Sequence, residues 1–263
     1  MFVCFGDSLT HNDLLPAYNQ KPADLFGTDP HEAVFDKAAA AGDDLLSLAV
    51  AGSWTGDVLL QIDLYVFLSR IGAIEAATVF GLEMGGNNFL GNASLLASAP
   101  PGADPAADAV VDTVIADWRT AVLRLSQESP SGLIAWTIPD ITLTPEYYGT
   151  WSAAEEDNIR AHLERANRFI RRLDTWPGVV ILDTGAFLAD SIASPPEFFG
   201  VALDPPPDFC DYPDLFADEI HPTAVANALL ANEIIGLLNL EFNDQIPLYS
   251  DEELADLAHI PHP

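Results

Sequence analysis

A serine, a histidine and an aspartate stand in this chain where they could build a nucleophilic centre. Ser8 follows Phe5-Gly6-Asp7 at the end of an apolar run, Met1 to Phe5, that reads as a buried strand. Asp218 and His221 lie in Asp218-Glu219-Ile220-His221-Pro222-Thr223, far along the chain. A serine hydroxyl is a poor nucleophile until a base takes its proton, and the oxyanion it generates needs preorganised donors. Asp218 and His221 are three positions apart, which in a helical turn sets both side chains on one side. An acid so placed accepts a hydrogen bond from Nδ1, fixes the tautomer and leaves Nε2 to serve Ser8. The backbone N–H groups of Ser8 and Gly52 and the side-chain amide of Asn87 are the candidate oxyanion donors. Gly52 is suited because the backbone there must approach closely.

These residues need elements that bring them to one place. Apolar runs at Leu45–Val50, Ala77–Met84, Leu133–Ile138 and Val179–Leu182 read as four further strands. Helical spacing recurs between them: at 33–41, closed by Gly42; over Val58–Arg70; from Asp104-Pro105 to about Gln127; after Ser152; and over Thr223–Leu240. Asp104 before a proline is an N-cap with proline at the first helical position. Ser152 with Glu155, and Ser250 with Glu253, are capping boxes. The segment from His11 to Asp29 reads as a short helix and loop, the stretch 91–102 as a loop, and the stretch from Ser194 to Leu215 as irregular. Strands alternate with helices throughout, which argues for an α/β chain with a mainly parallel sheet covered on both faces. There is no internal repeat and no break in composition, so residues 1–263 read as one domain. In such a sheet ligands bind beyond the carboxyl ends of the strands. Ser8, Gly52 and Asn87 all follow strand ends.

Composition narrows the partners. The chain of 263 residues carries 40 Asp plus Glu against 10 Lys plus Arg, a formal net charge of -30. Such a surface repels nucleic acid and anionic membranes and is read as a solvated shell. Five of the ten basic residues fall between Arg160 and Arg172, where ion pairing on a helix surface is the expectation. Cys4 and Cys210 are too few for a disulfide framework and are expected to be buried and reduced, with a single bridge between them as the alternative. No basic segment followed by an apolar one marks a signal peptide, and no apolar run is long enough to span a bilayer. On the sequence as given the expectation is a cytoplasmic protein, or a secreted one if a leader was omitted. The five other histidines show no metal-ligand spacing, and Asp204, Asp208, Asp211 and Asp214 read as a solvated loop rather than a calcium site. No phosphate-binding glycine motif is present.

Taken together, the blocks Gly6-Asp7-Ser8-Leu9, Ala51-Gly52-Ser53-Trp54-Thr55, Gly85-Gly86-Asn87-Asn88 and Asp218-Glu219-Ile220-His221-Pro222-Thr223 resemble the SGNH (GDSL) hydrolase family, in its order. The segment from Ile138 to Pro145 is similar to a stretch found in lipase-like members. The resemblance implies a three-layer α/β/α sandwich around a five-stranded, flavodoxin-like sheet. It also implies a serine esterase or lipase acting through an acyl-enzyme without metal or organic cofactor, on a small-molecule ester or lipid. Ser8, His221 and Asp218 would form the triad, with Ser8, Gly52 and Asn87 as the oxyanion hole. Trp54, Phe89 and Tyr147 follow strand ends and are candidates for lining an acyl pocket. The third block departs from the family's Gly-X-Asn-Asp, having Asn88 where the acid stands. A carbohydrate acetylesterase or acyltransferase on the same triad is the alternative within enzymes. A catalytically silent binding module is the alternative from another class.

Overall fold

The computed structural model describes residues 1–10, 33, 34, 37, 45–128 and 130–263. The segment expected at 11–29, and most of the helix expected at 33–41, lie outside these. Five strands form one sheet: β1 (Phe2–Phe5), β2 (Leu45–Ser47), β3 (Val79–Leu82), β4 (Gly132–Trp136) and β5 (Val179–Leu182). Their order is β2-β1-β3-β4-β5, and every neighbouring pair is parallel. The chain therefore winds one way from β1 to β2 and the other way from β1 to β5. The reversal leaves a crevice at the carboxyl ends of β1 and β3, where ligands bind in doubly wound sheets.

The strands are continuous apolar runs because both faces are covered. Val3, Phe5, Phe80, Leu82, Leu133 and Ala135 belong to the larger core, with α1 (Thr55–Arg70), α4 (Pro105–Ser126) and α5 (Ala153–Arg171). Phe2, Cys4, Ile134 and Trp136 belong to a second core, against α7 (Ala224–Glu241). The layers are the α/β/α sandwich expected. A third cluster packs α7 against α8 (Asp251–Leu257) and the stretch Phe198 to Phe216.

Helix starts follow local chemistry. The Asp104 carboxylate accepts the Ala106 N–H at 2.8 Å, with Pro105 at the first helical position. The Ser152–Glu155 and Ser250–Glu253 boxes are both formed. Within the segment read as a loop at 91–102 lies the short helix α3 (Ala93–Ala97), after α2 (Gly86–Leu90). Helix α6 (Thr184–Ala193), capped by Asp183, and the ribbon β6 (Glu197–Phe198) with β7 (Val201–Ala202) went unforeseen. Cys4 is buried and Cys210 exposed, and they form no disulfide. The arginines of α5 do pair with acids, but mostly across to other elements: Arg160 to Asp140, Arg165 to Asp108, Arg171 to Asp183. No helix among the described residues is long and apolar enough to cross a membrane.

Two side-chain amides finish what the sheet ladder leaves open. Gln61 on α1 accepts from Gly6 N–H at 3.0 Å and donates to Gly6 C=O at 2.9 Å. Asn167 on α5 does the same for Ile138, with 2.8 Å for both bonds. Each holds both backbone polar groups of one residue just past the end of a strand, β1 and β4 respectively. Buried backbone groups without partners cost about 1–3 kcal/mol each. Asn167→Leu, similar in size but apolar, removes both partners of Ile138. It is expected to destabilise the fold by about 2–5 kcal/mol, read from urea unfolding at neutral pH.

Candidate active site

The turn that leaves β1 is held on every side. Asp7 N–H donates to Glu83 Oε2 at 3.1 Å, Leu9 N–H to Asp7 Oδ1 at 3.1 Å, and Thr10 N–H to Asp7 C=O at 3.2 Å. Gly6 has to be glycine: a Cβ there would collide with Thr10 Oγ1 and lie 2.8 Å from Glu83 Oε2. Ser8 opens a short 3₁₀ turn, Ser8–Thr10, at the mouth of the crevice.

His221 reaches this serine from the loop before α7. Its Nε2 lies 2.9 Å from Ser8 Oγ. Its Nδ1 lies 2.8 Å from Asp218 Oδ2 and 3.0 Å from Oδ1. The sequence spacing suggested a helical turn, but the segment is a bend closed by the carboxylate itself. Asp218 Oδ1 accepts the N–H groups of both Ile220 and His221 at 2.7 Å, and Ala217 N–H donates to His221 C=O at 2.8 Å. The result is the same: acid and imidazole share one side. Asp218 is buried. Burial pushes its carboxyl up, but the ring N–H and charge of His221 and the two backbone N–H groups outweigh this and bring it down to about 2.

The remaining sequence candidates divide. Asn87, in the first turn of α2, lines the same cavity as Ser8. Both hydrogens of its amide are engaged, Nδ2 donating to Asp7 Oδ2 at 2.9 Å and to Ser53 C=O at 3.0 Å. Gly52 is exposed, with φ at 80°, a left-handed backbone that suits glycine. It lines a neighbouring hollow with Ser53 and Gln61 rather than the Ser8 cavity. Among the described residues neither Ser8 N–H nor Gly52 N–H meets an acceptor. Asn88 is buried, and its Oδ1 accepts Thr55 N–H at 3.0 Å at the start of α1. A neutral amide thus ties the third block to the second, a bond that does not require the family's acid.

The three aromatic candidates for the acyl pocket are corrected. Phe89 is wholly buried in the larger core. Trp54 is 44% exposed and covers Gly91, and Tyr147 stacks on Trp151. None of them lines the cavity at Ser8. That cavity, about 110 Å³, is walled by Leu9, Leu90, Phe187, Leu188, Phe216 and Ile220, among others. Phe187 and Leu188 come from α6, whose start was signalled by Asp183 capping Ala186 N–H at 3.1 Å. No group of acids, histidines or cysteines able to hold a metal ion occurs among the described residues.

A doubly wound parallel sheet with a linked serine, histidine and aspartate at its carboxyl rim has the architecture of a serine hydrolase. A profile of the GDSL-like lipase/acylhydrolase family matches residues 2–234, and the chain belongs to that family. It is accordingly a carboxylic ester hydrolase. Among curated proteins no sequence matches it. Among solved structures it is similar to a catalytic mutant of Axe2, an acetylxylan esterase from Geobacillus stearothermophilus. The TM-score is 0.59 at 15% identity, covering 95% of this chain and 96% of that one. It is also similar to the lipase Lip_vut3 from a goat rumen metagenome, with TM-score 0.59, 12% identity and coverage of 89% and 95%. A third similar structure is the acetyl xylan esterase AlAXEase, with TM-score 0.54, 17% identity and coverage of 90% and 98%. At these identities the likeness is one of fold.

The depressed Asp218 carboxyl makes a prediction about acid stability. Its folded value lies below the ordinary 3.8. The stability it contributes is therefore present above that value and lost as pH falls toward 2, about 2 kcal/mol in all. Asp218→Asn is expected to remove this dependence, so the parent's stability advantage over the variant shrinks between about pH 5 and about pH 2. Urea unfolding at both pH values checks it.

Proposed function

We propose that the protein hydrolyses esters of apolar acyl chains through an acyl-enzyme on Ser8. The observation that carries this reading is the unbroken line Ser8 Oγ to His221 Nε2 to Asp218, with the hydroxyl opening into an apolar cavity. Ser8 attacks the acyl carbon while His221 Nε2 takes its proton, and Asp218 orients and stabilises the imidazolium. The N–H of Ser8 receives the oxyanion. Asn87 joins it when an amide hydrogen turns from the Ser53 carbonyl toward the substrate, and Gly52, which faces the neighbouring hollow, contributes its N–H only if the 52–53 turn shifts toward Ser8. His221 then protonates the departing alcohol, and water repeats the sequence on the acyl-enzyme. No step calls for a metal or an organic cofactor.

The walls of the cavity argue against a bare acetyl group as the preferred load. Each methylene of a longer chain buried against these walls contributes about 0.8 kcal/mol that an acetyl group forgoes. The lining includes Thr144, Thr184 and Ser191, but its surface is mainly that of apolar side chains such as Leu90, Phe187, Leu188 and Phe216, which suits an acyl chain better than a carbohydrate.

Ser8→Ala is expected to abolish turnover of nitrophenyl esters and to lose mass labelling by a fluorophosphonate; retained turnover would refute Ser8 as nucleophile. Asn87→Ala is expected to lower kcat about 100-fold in a folded protein. Across a series of nitrophenyl esters, kcat/KM is expected to rise from acetate to chains of several carbons. Highest activity on acetylated xylo-oligosaccharides would favour the carbohydrate reading instead.

A further inference from the structure

Beneath the nucleophile turn lies a pair of buried acids that the proposed reaction does not use. Asp7 is 2% and Glu83 is 3% exposed. Glu83 stands one residue past β3, its N–H donating to Phe5 C=O at 3.0 Å, so its side chain is delivered across β1 to the Gly6-Asp7 corner. There Oε2 accepts Asp7 N–H at 3.1 Å, which sets the two buried carboxyl groups close enough for each to feel the other's charge. No ion pair with a basic side chain reaches either acid among the described residues. The titratable group that faces the pair is His221, whose charge is felt at Asp7.

Two carboxylates buried this close repel, so one of them carries a proton. The partners decide which. Asp7 accepts from Leu9 N–H on one oxygen and from Asn87 Nδ2 on the other, the pattern of a carboxylate. Glu83 is left to carry the proton. Burial, and then the neighbouring charge of Asp7, push the Glu83 carboxyl well above the usual carboxylate range.

Resting on the reading of Ser8 as nucleophile, we infer that Glu83 is a positioning residue, a neutral acid that holds the Asp7 N–H and so the turn from which the Asp7 carboxylate is presented. Asp7 in turn fixes the Leu9 N–H on one side of Ser8 and the Asn87 amide on the other. Its anion also feels the charge of His221. Loss of Glu83 leaves Asp7 N–H and carboxylate to rearrange, which misplaces donors whose value depends on geometry. Substrate binding in the apolar cavity is untouched, so the effect falls on kcat.

The test compares Glu83→Gln, which keeps a donor and an acceptor, with Glu83→Met, which keeps neither. Kinetics use nitrophenyl butyrate, with Ser8→Ala as control and folding followed by circular dichroism. The expected result is a fall in kcat of about tenfold or more for Glu83→Met at nearly unchanged KM, restored by Glu83→Gln to within about threefold of the parent. A second reading concerns the proton. Folded Glu83 keeps it while the unfolded chain releases it above its ordinary 4.5, so the parent loses stability as pH rises from there. The parent's unfolding constant should thus rise with pH more steeply than that of Glu83→Gln, by up to about tenfold per pH unit. The inference is overturned if Glu83→Met keeps the parent kcat, if Glu83→Gln is as impaired as Glu83→Met, or if parent and Glu83→Gln share one pH dependence of stability. Should Glu83→Met fail to fold, the Gln variant's kcat and stability profile decide alone. An active Ser8→Ala control would instead overturn the reading on which the inference rests.

Discussion

At the carboxyl end of β1 the sheet ladder stops, and the peptide groups of Gly6 and Asp7 must find partners that are not strands. Everything at the rim depends on how that is met. Gln61 supplies a side-chain amide for both sides of Gly6, and Glu83 supplies an acceptor for Asp7 N–H. A buried N–H without such a partner is costly, so the turn has one arrangement rather than several. Ser8 inherits that rigidity. It is presented at a fixed place because the two residues before it are pinned from two different elements, α1 and the end of β3.

The loops around the rim are joined by the same kind of contact. Asn87 links the third block to Asp7 and to Ser53, and Asn88 links it to the start of α1. These bonds come from side-chain amides, which offer donor and acceptor without needing a counter-charge. In a chain with net charge -30 this matters. Each added carboxylate near the crevice would meet others, and the acids already there are either neutralised by a proton or satisfied by N–H groups. The scarce arginines are spent elsewhere, tying α5 to its neighbours on the flank of the sandwich.

The sheet and its serine, histidine and aspartate were legible because their signals are local: apolar runs, glycine-containing turns and an acid three positions before a histidine. Where the signal lies in three-dimensional neighbourhood, sequence was silent or misleading. Trp54, Phe89 and Tyr147 follow strand ends, yet Phe89 turns inward to the core because α2 begins at Gly86 and carries it there. Much of the cavity wall comes instead from α6, marked in the sequence only by its Asp183 cap, and from Phe216 in a stretch without regular structure. Glu83 gave no warning at all. An acid at the end of an apolar strand gives no sign of its surroundings, and only the pairing of β3 beside β1, with Glu83 next to Gly6, buries it. Asn88 looked like a loss, since it lacks the acid's charge; the bond it makes to Thr55 N–H asks only for an oxygen.

Ser8 and His221 are separated by 213 positions along the chain, although their side chains touch. Bringing two so distant positions together carries a loop-closure cost that the local contacts of the helices and turns do not. On the proposed role of Ser8 and His221, hydrolytic competence is then a property of the finished topology and of no fragment. During synthesis the emerging polypeptide would carry an inert hydroxyl until the segment ahead of α7 clears the ribosome and docks. The architecture thereby couples chemical reactivity to completion, so that a partly made or partly unfolded copy is harmless to esters around it.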